Sequence, residues 1–116
     1  MEVKQSFEEY DILIAVSQER KDRLICSHPI FEKTRIIENN QQHYLEHERK
    51  LKLFEEEIVA PNETFLLLDV RDVSYKSFSE SYGFLYLHTS RGVRAYMVKE
   101  EPKEWMEELR TRLSNI

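Results

Sequence analysis

Cysteine occurs once in the 116 residues, as Cys26, so no disulfide can form within the chain. Glycine occurs twice and proline three times, which leaves little material for long flexible linkers. No apolar run approaches the roughly 20 residues that a membrane-spanning helix needs. The first residues, Met1-Glu2-Val3-Lys4-Gln5-Ser6, are polar and hold no signal-peptide apolar core, which gives the expectation of a cytoplasmic protein. Basic excess is missing too. The net charge is −5, with both signs interspersed, which argues against a nucleic-acid binder and against adsorption to an anionic membrane by bulk charge. A local basic patch stays open. Reactive groups at a recognisable catalytic or cofactor spacing are also absent. The sequence therefore gives the expectation of no catalytic residues and no cofactor.

What is present suits one domain, long enough to bury a core without disulfides or metal. The most legible stretch is residues 83–113. Gly83-Phe84-Leu85-Tyr86-Leu87-His88-Thr89 and Val93-Arg94-Ala95-Tyr96-Met97-Val98 are strand-like runs joined by Ser90-Arg91-Gly92, the pattern of a β-hairpin. With a loop over residues 90–92, Leu85, Leu87, Val93, Ala95 and Met97 fall on one face. Phe84, Tyr86, Tyr96 and Val98 fall on the other. Both faces are apolar, which predicts a sheet covered on both sides or a curled barrel. Pro102 then opens a helix over residues 102–113, since proline suits the first helical position. Glu104, Glu107 and Glu108 precede Arg110 and Arg112, the order that complements the helix dipole. Trp105, Leu109 and Leu113, with Met106, form its apolar stripe, and Trp105 is expected over the open end of the sheet.

Upstream the pattern is less decided. Ser6-Phe7-Glu8-Glu9 has the form of a capping box, and Phe7, Tyr10 and Ile14 share a helical face; Ile12, Ile14 and Val16 equally alternate as in a strand. Pro29 is expected to end whatever precedes it, because His28 is pushed toward an extended form. Residues 34–38 read as a short strand and Asn39-Asn40-Gln41-Gln42 as a polar break. Residues 43–57 fit a helix through Tyr44, His47, Leu51, Phe54 and Ile58, or a strand through the alternation of Lys50-Leu51-Lys52-Leu53-Phe54. The strand is preferred. Pro61-Asn62-Glu63 is a turn. Thr64-Phe65-Leu66-Leu67-Leu68 reads as a buried strand, residues 69–72 as a polar corner, and residues 73–78 as the next strand.

From about Lys50 onward this order resembles a bacterial pleckstrin-homology-like (PH-like) domain. The resemblance lies in Leu51-Lys52-Leu53-Phe54-Glu55-Glu56-Glu57-Ile58-Val59, two strands about an acidic turn. It continues through Phe65-Leu66-Leu67-Leu68-Asp69-Val70-Arg71-Asp72-Val73-Ser74-Tyr75, then the hairpin and Pro102-Lys103-Glu104-Trp105. It implies an α+β fold, a strongly bent antiparallel sheet or barrel of about seven strands closed by a C-terminal helix. Residues 1–40 would supply at least one more strand or a helical cap. The rival fold has helices over residues 6–27 and 41–58 on a smaller antiparallel sheet. The resemblance also implies a non-enzymatic binding module, its partner a protein or a second copy of the chain.

Candidate sites are few. His43 and His47 would share a helix face and could ligate zinc, but Glu46 does not stand where a His-Glu-x-x-His site needs it. Cys26 and His28 have the residue types of a nucleophile and base, although Cys26 reads more simply as a small buried apolar residue. His88 reads as a partly buried strand residue. Asp69 and Asp72 are expected to bond nearby backbone N–H groups at a corner. Tyr75, Tyr82, Tyr86 and Tyr96 are either packing residues or a binding face, with packing the plainer reading. Lipid-binding PH domains carry basic residues in their first strand–loop–strand. The analogue here is Arg20, Lys21 and Arg23, a candidate ligand-binding loop for an anionic lipid, diluted by Glu19 and Asp22.

Overall fold

A computed structural model describes residues 23–116. They form one seven-stranded antiparallel sheet and one C-terminal helix, an α+β arrangement. The strands are β1 (Leu24–Glu38), β2 (Gln41–Phe54), β3 (Glu57–Val59), β4 (Thr64–Leu66), β5 (Val70–Ser77), β6 (Gly83–Thr89) and β7 (Gly92–Val98). The helix, α1, is Lys103–Leu113. Spatial order in the sheet is β4-β3-β2-β1-β7-β6-β5.

That order forces a bend. Laid flat, seven strands would put β4 and β5 about 29 Å apart. Yet only the 3₁₀ turn Leu67–Asp69 joins them, and Leu66 to Val70 can span at most about 14 Å. Contacts across the bend agree: Arg94 on β7 donates to Glu63 in the β3–β4 turn at 2.6 Å, and Arg91 reaches the Thr64 carbonyl at 3.5 Å. The two edges do not pair, so the sheet is bent but not closed, and the barrel expectation is corrected. The physical reason is β4, whose three residues give β5 almost no edge to pair with.

The inner face of the bend holds the core. Ile30, Leu51, Leu53, Ile58, Phe65, Val73, Leu85, Leu87 and Val98 are buried there, and α1 adds Trp105, Met106 and Leu109. Trp105 is 2 % exposed, and its indole N–H donates to the Leu51 carbonyl of β2 at 3.0 Å. The burial expected of Trp105 holds: it lies in one cluster with Leu85, Leu87 and Val98 of β6 and β7, and its indole bond goes to β2. Pro102 stands at the cap, one position before α1, and its carbonyl accepts the Met106 N–H.

Other differences are local. Residues 41–54 are strand, which removes the rival helix there; its other helix falls mostly outside the described residues. β1 runs straight through Pro29, which sits opposite Lys50. The bias that proline imposes on His28 is toward extended backbone, and extended backbone is what a strand requires. Residues 34–38 are therefore the far end of a 15-residue strand. Asn39 and Asn40, at φ 50° and 62°, form the two-residue turn to β2. Positive φ at both positions is the hairpin geometry that asparagine tolerates. The expected buried run 64–68 splits: Phe65 and Leu67 are buried, but Leu66 is 53 % and Leu68 75 % exposed. Beyond Phe31, where β1 meets Met97 of β7, the β1–β2 hairpin continues as a two-stranded arm for about 24 Å.

Candidate interaction surface

Strand parity assigns every side chain of β5–β7 to a face. Thr89 opposes Gly92 and Leu85 opposes Tyr96, so Ser90 and Arg91 alone form the turn. This shifts the hairpin by one residue from the sequence reading, and a one-residue shift exchanges faces. Tyr96 and Val98 share the inner face with Leu85 and Gly83. Val93, Ala95 and Met97 share the outer face with His88, Tyr86 and Phe84.

The outer face is therefore the apolar surface of interest. On β6, Phe84 and Tyr86 point out, their ring centroids 6.2 Å apart. The β5–β6 turn folds Phe78 and Tyr82 onto Phe84, edge to face at 5.2 and 5.9 Å, and onto each other in a stack at 6.2 Å. Edge-to-face pairs contribute about 0.5–1.5 kcal/mol beyond burial, so this cluster holds its own shape. Serine bonds shape the turn: the Ser77 hydroxyl donates to the Ser79 carbonyl, and the Ser81 N–H donates to the Ser79 hydroxyl. Met97 lies opposite Phe84 on one side and Phe31 on the other, extending the apolar row to β1. Phe78 remains 48 %, Tyr82 38 % and Val93 56 % exposed. Cations edge the row: Lys76 lies over the Phe78 ring at 5.6 Å and Lys99 over Phe31 at 4.4 Å. No described element covers this face. On the arm, Ile37, Tyr44 and Leu45 are exposed as well.

The four tyrosines thus divide. Tyr82 and Tyr86 belong to the surface, whereas Tyr75 and Tyr96 pack against the core. Burial, with Glu63 adding to it, pushes the Tyr96 hydroxyl up to about 12. Phe78 and Phe84 carry the cluster although the tyrosines drew attention in the sequence; the signal that could have found them is aromatic residues on both sides of a tight turn.

The remaining candidates are placed as follows. His43 and His47 are four residues apart on a strand, about 13 Å, too far to hold one ion. Among the described residues no group of metal-ligating side chains is assembled. Cys26 is half-buried at the margin of the core. Burial pushes its thiol up, and the Glu108 and Glu104 carboxylates add to the effect, the reverse of the activation a nucleophile needs. His28 is held below its ordinary range, chiefly by burial, while a bond to the Glu100 backbone carbonyl opposes. His88 is half-buried, its Nε2 2.9 Å from the Ser74 hydroxyl. Asp72 faces the Arg110 guanidinium at 3.8 Å rather than a backbone N–H, and Asp69 enters the corner through its carbonyl, which accepts from Ser90. Of the proposed lipid loop, Arg20 and Lys21 lie outside the described residues; Arg23 is exposed at the start of β1. No described helix is long and apolar enough to cross a membrane. No protein-family profile matches this chain, and no curated protein matches it.

Proposed function

We propose that the chain is a non-enzymatic binding module of PH-like type that acts through protein–protein contact, its partner another protein or a second copy. The observation that carries this reading is the connected aromatic row of Phe78, Tyr82, Phe84 and Tyr86 on an uncovered sheet face. Rigid aromatic residues with cations at the margin are the composition of interface centres, where a few such side chains supply most of the binding energy. A bent antiparallel sheet with a C-terminal helix is also what the PH-like resemblance implies.

The test compares the full chain with a Phe78→Ser, Tyr82→Ser variant. Sedimentation velocity reads self-association, and affinity capture from a native extract reads a partner. The proposal expects at least one association that the variant loses while its circular dichroism is retained. Association unchanged by the variant would overturn the assignment to this face. Co-sedimentation with anionic liposomes, lost on changing Arg20, Lys21 and Arg23 to Ala, would instead establish the lipid-binding class.

A further inference from the structure

The β1–β2 arm leaves the body with a long edge open. β2 pairs with β1 along its whole length, but on its other side it meets β3 only at Lys52 and Leu53. From Gln41 to Leu51 no described strand lies against that side. The phase of the ladder tells which groups are left over. In a two-residue hairpin the pair that closes the turn, here Glu38 and Gln41, is hydrogen-bonded, and bonded pairs then alternate with unbonded ones. Gln42, Tyr44, Glu46, Glu48 and Lys50 therefore turn their backbone N–H and C=O away from β1. The phase is consistent further along: Lys52, next in that series, is opposite Val59 of β3. Pro29, which has no N–H to give, stands at an unbonded position opposite Lys50. An unpaired edge of this length, beside exposed Tyr44 and Leu45, is a template for one more strand. The edge of β1 beyond Phe31 is shorter, residues 32–38, and carries Lys33 and Arg35, cations of the kind that discourage pairing.

β2 is complementary to itself. A two-fold axis through the edge sets one residue opposite its own copy and thereby fixes every other pair. With Leu45 on the axis, Tyr44 opposes Glu46 of the second copy, Gln42 opposes Glu48, His43 opposes His47, and Gln41 opposes Arg49. At neutral pH no like charges then face each other, and Glu46 and Glu48 are already ion-paired to Lys99 and Lys50. With Glu46 on the axis its carboxylate would meet its own copy. With His47 on the axis Glu46 would meet Glu48, and the incoming turn would run into β3 at Lys52. Moving the axis the other way, to Tyr44, pairs fewer residues.

We propose that a second copy of this chain adds its β2 antiparallel to β2, from Gln41 to Arg49 with Leu45 on the two-fold axis, so that one sheet runs through both copies. The pairing does not use the row of Phe78, Tyr82 and Phe84, so it goes beyond the proposed function and stands or falls apart from it.

Sedimentation velocity on the full chain tests it, and a concentration-dependent dimer is expected. Leu45→Lys and Leu45→Asp, at an exposed position, should each be monomeric with their circular dichroism retained. An equimolar mixture of the two should dimerise, because ammonium and carboxylate then meet at the axis. Tyr44→Pro removes an outward N–H and spares the ladder to β1, as Pro29 does on its own strand; it should weaken the dimer about tenfold or more. Phe78→Ser, Tyr82→Ser should leave the dimer unchanged. A chain that stays monomeric over the whole concentration range overturns the proposal, as does a dimer indifferent to Leu45→Lys. A mixture of the two Leu45 variants that stays monomeric overturns it as well. A dimer lost in Phe78→Ser, Tyr82→Ser belongs to the aromatic face and overturns it equally. Slow hydrogen exchange at the Tyr44, Glu46 and Glu48 amides of the monomer assigns the edge to another part of the same chain, with the same consequence. Should Leu45→Lys unfold the arm, Tyr44→Pro decides: a lost dimer with exchange in β6 and β7 unchanged supports the pairing, and an unchanged dimer refutes it.

Discussion

The two faces of the β5–β6–β7 sheet are nearly equal in apolar content and opposite in what they do. Inward, Val73, Leu85, Leu87 and Val98 are wholly buried beneath the bend of the sheet and α1. Outward, Phe84, Tyr86 and Met97 are half-buried, and Phe78, Tyr82 and Val93 lie open. Hydrophobicity alone cannot tell a core from an interface. What separates them is whether another element of the chain returns to cover the face. The inner face receives Trp105, Met106 and Leu109; among the described residues the outer face receives nothing.

The sharpest way to break this contrast is at Trp105, where one side chain both fills the core and bonds the helix to β2. Truncating a buried tryptophan costs about 3–5 kcal/mol, set against a total of about 5–15 for an ordinary domain. The loss here includes the bond to Leu51, whose carbonyl would be left buried without its donor. Trp105→Ala should therefore lower the melting temperature by on the order of 15–20 °C, or leave the chain largely unfolded. Lys103→Ala, two residues earlier and exposed, should change it by no more than a degree or two by the same scale. Thermal circular dichroism checks both; a stable Trp105→Ala protein would mean that α1 does not hold the inner face together.

Gly83 comes next, because the two faces meet there without a side chain. A Cβ at this position would lie 2.7 Å from the Lys76 carbonyl and 2.8 Å from the Tyr75 ring. Backbone cannot yield as a side-chain end can, so Gly83→Ala should cost about 1–3 kcal/mol in urea denaturation. A neutral result would show that β5 can slide relative to β6.

Much of the architecture was legible in the sequence, and the failures are physical. The β6–β7 hairpin, the acidic turn between β2 and β3, and α1 follow from periodicity, turn chemistry and caps. The outer face was misassigned because Gly92, at φ +113°, looked like part of the turn and is instead the first residue of β7. One residue of loop length exchanged Tyr96 and Val98 with Met97 and Ala95. The arm was missed for a related reason: Asn39 and Asn40 were read as a break, although two residues of positive φ are how a hairpin turns. A strand of 15 residues with an exposed distal half also has little alternation to announce it. The surface itself was half visible, as tyrosines; its phenylalanines needed the register to be seen as neighbours.

On the outer face the expected effects on stability are smaller. Phe84→Ala removes two edge-to-face contacts from a half-buried ring, and should cost about 1–2 kcal/mol. Combined with Phe78→Ala, the total should fall short of additivity by about 0.5–1.5 kcal/mol, since the two rings share one contact. A double-mutant cycle in urea measures the term. Full additivity would mean that the rings are only neighbours, and that the cluster is not pre-shaped for a partner.

The smallest expected effect is set by pH and belongs to the margin of the core. His28 lies on β1 and lines a small cleft together with Glu100, Pro102 and Trp105. Its ring bonds the Glu100 carbonyl, and its Nε2 is buried without a partner. Burial holds its folded-state value below the ordinary 6.5, against the pull of Glu100 and together with Lys50. The unfolded chain therefore takes up a proton at a higher pH than the folded chain does. Stability from this group is complete above the ordinary value and is lost as pH falls from there toward the lower folded value. The Glu63 carboxylate paired with Arg94 acts further down, since that pairing holds its carboxyl below the usual range. The melting temperature should thus begin to decline just below pH 6.5, before the carboxylates contribute. In His28→Gln, which cannot titrate, the decline should start only in the carboxylate range. Identical profiles for the two proteins between pH 5 and 7 would show that His28 is as readily protonated in the fold as out of it, and that the margin beside Trp105 is wetter than its burial implies.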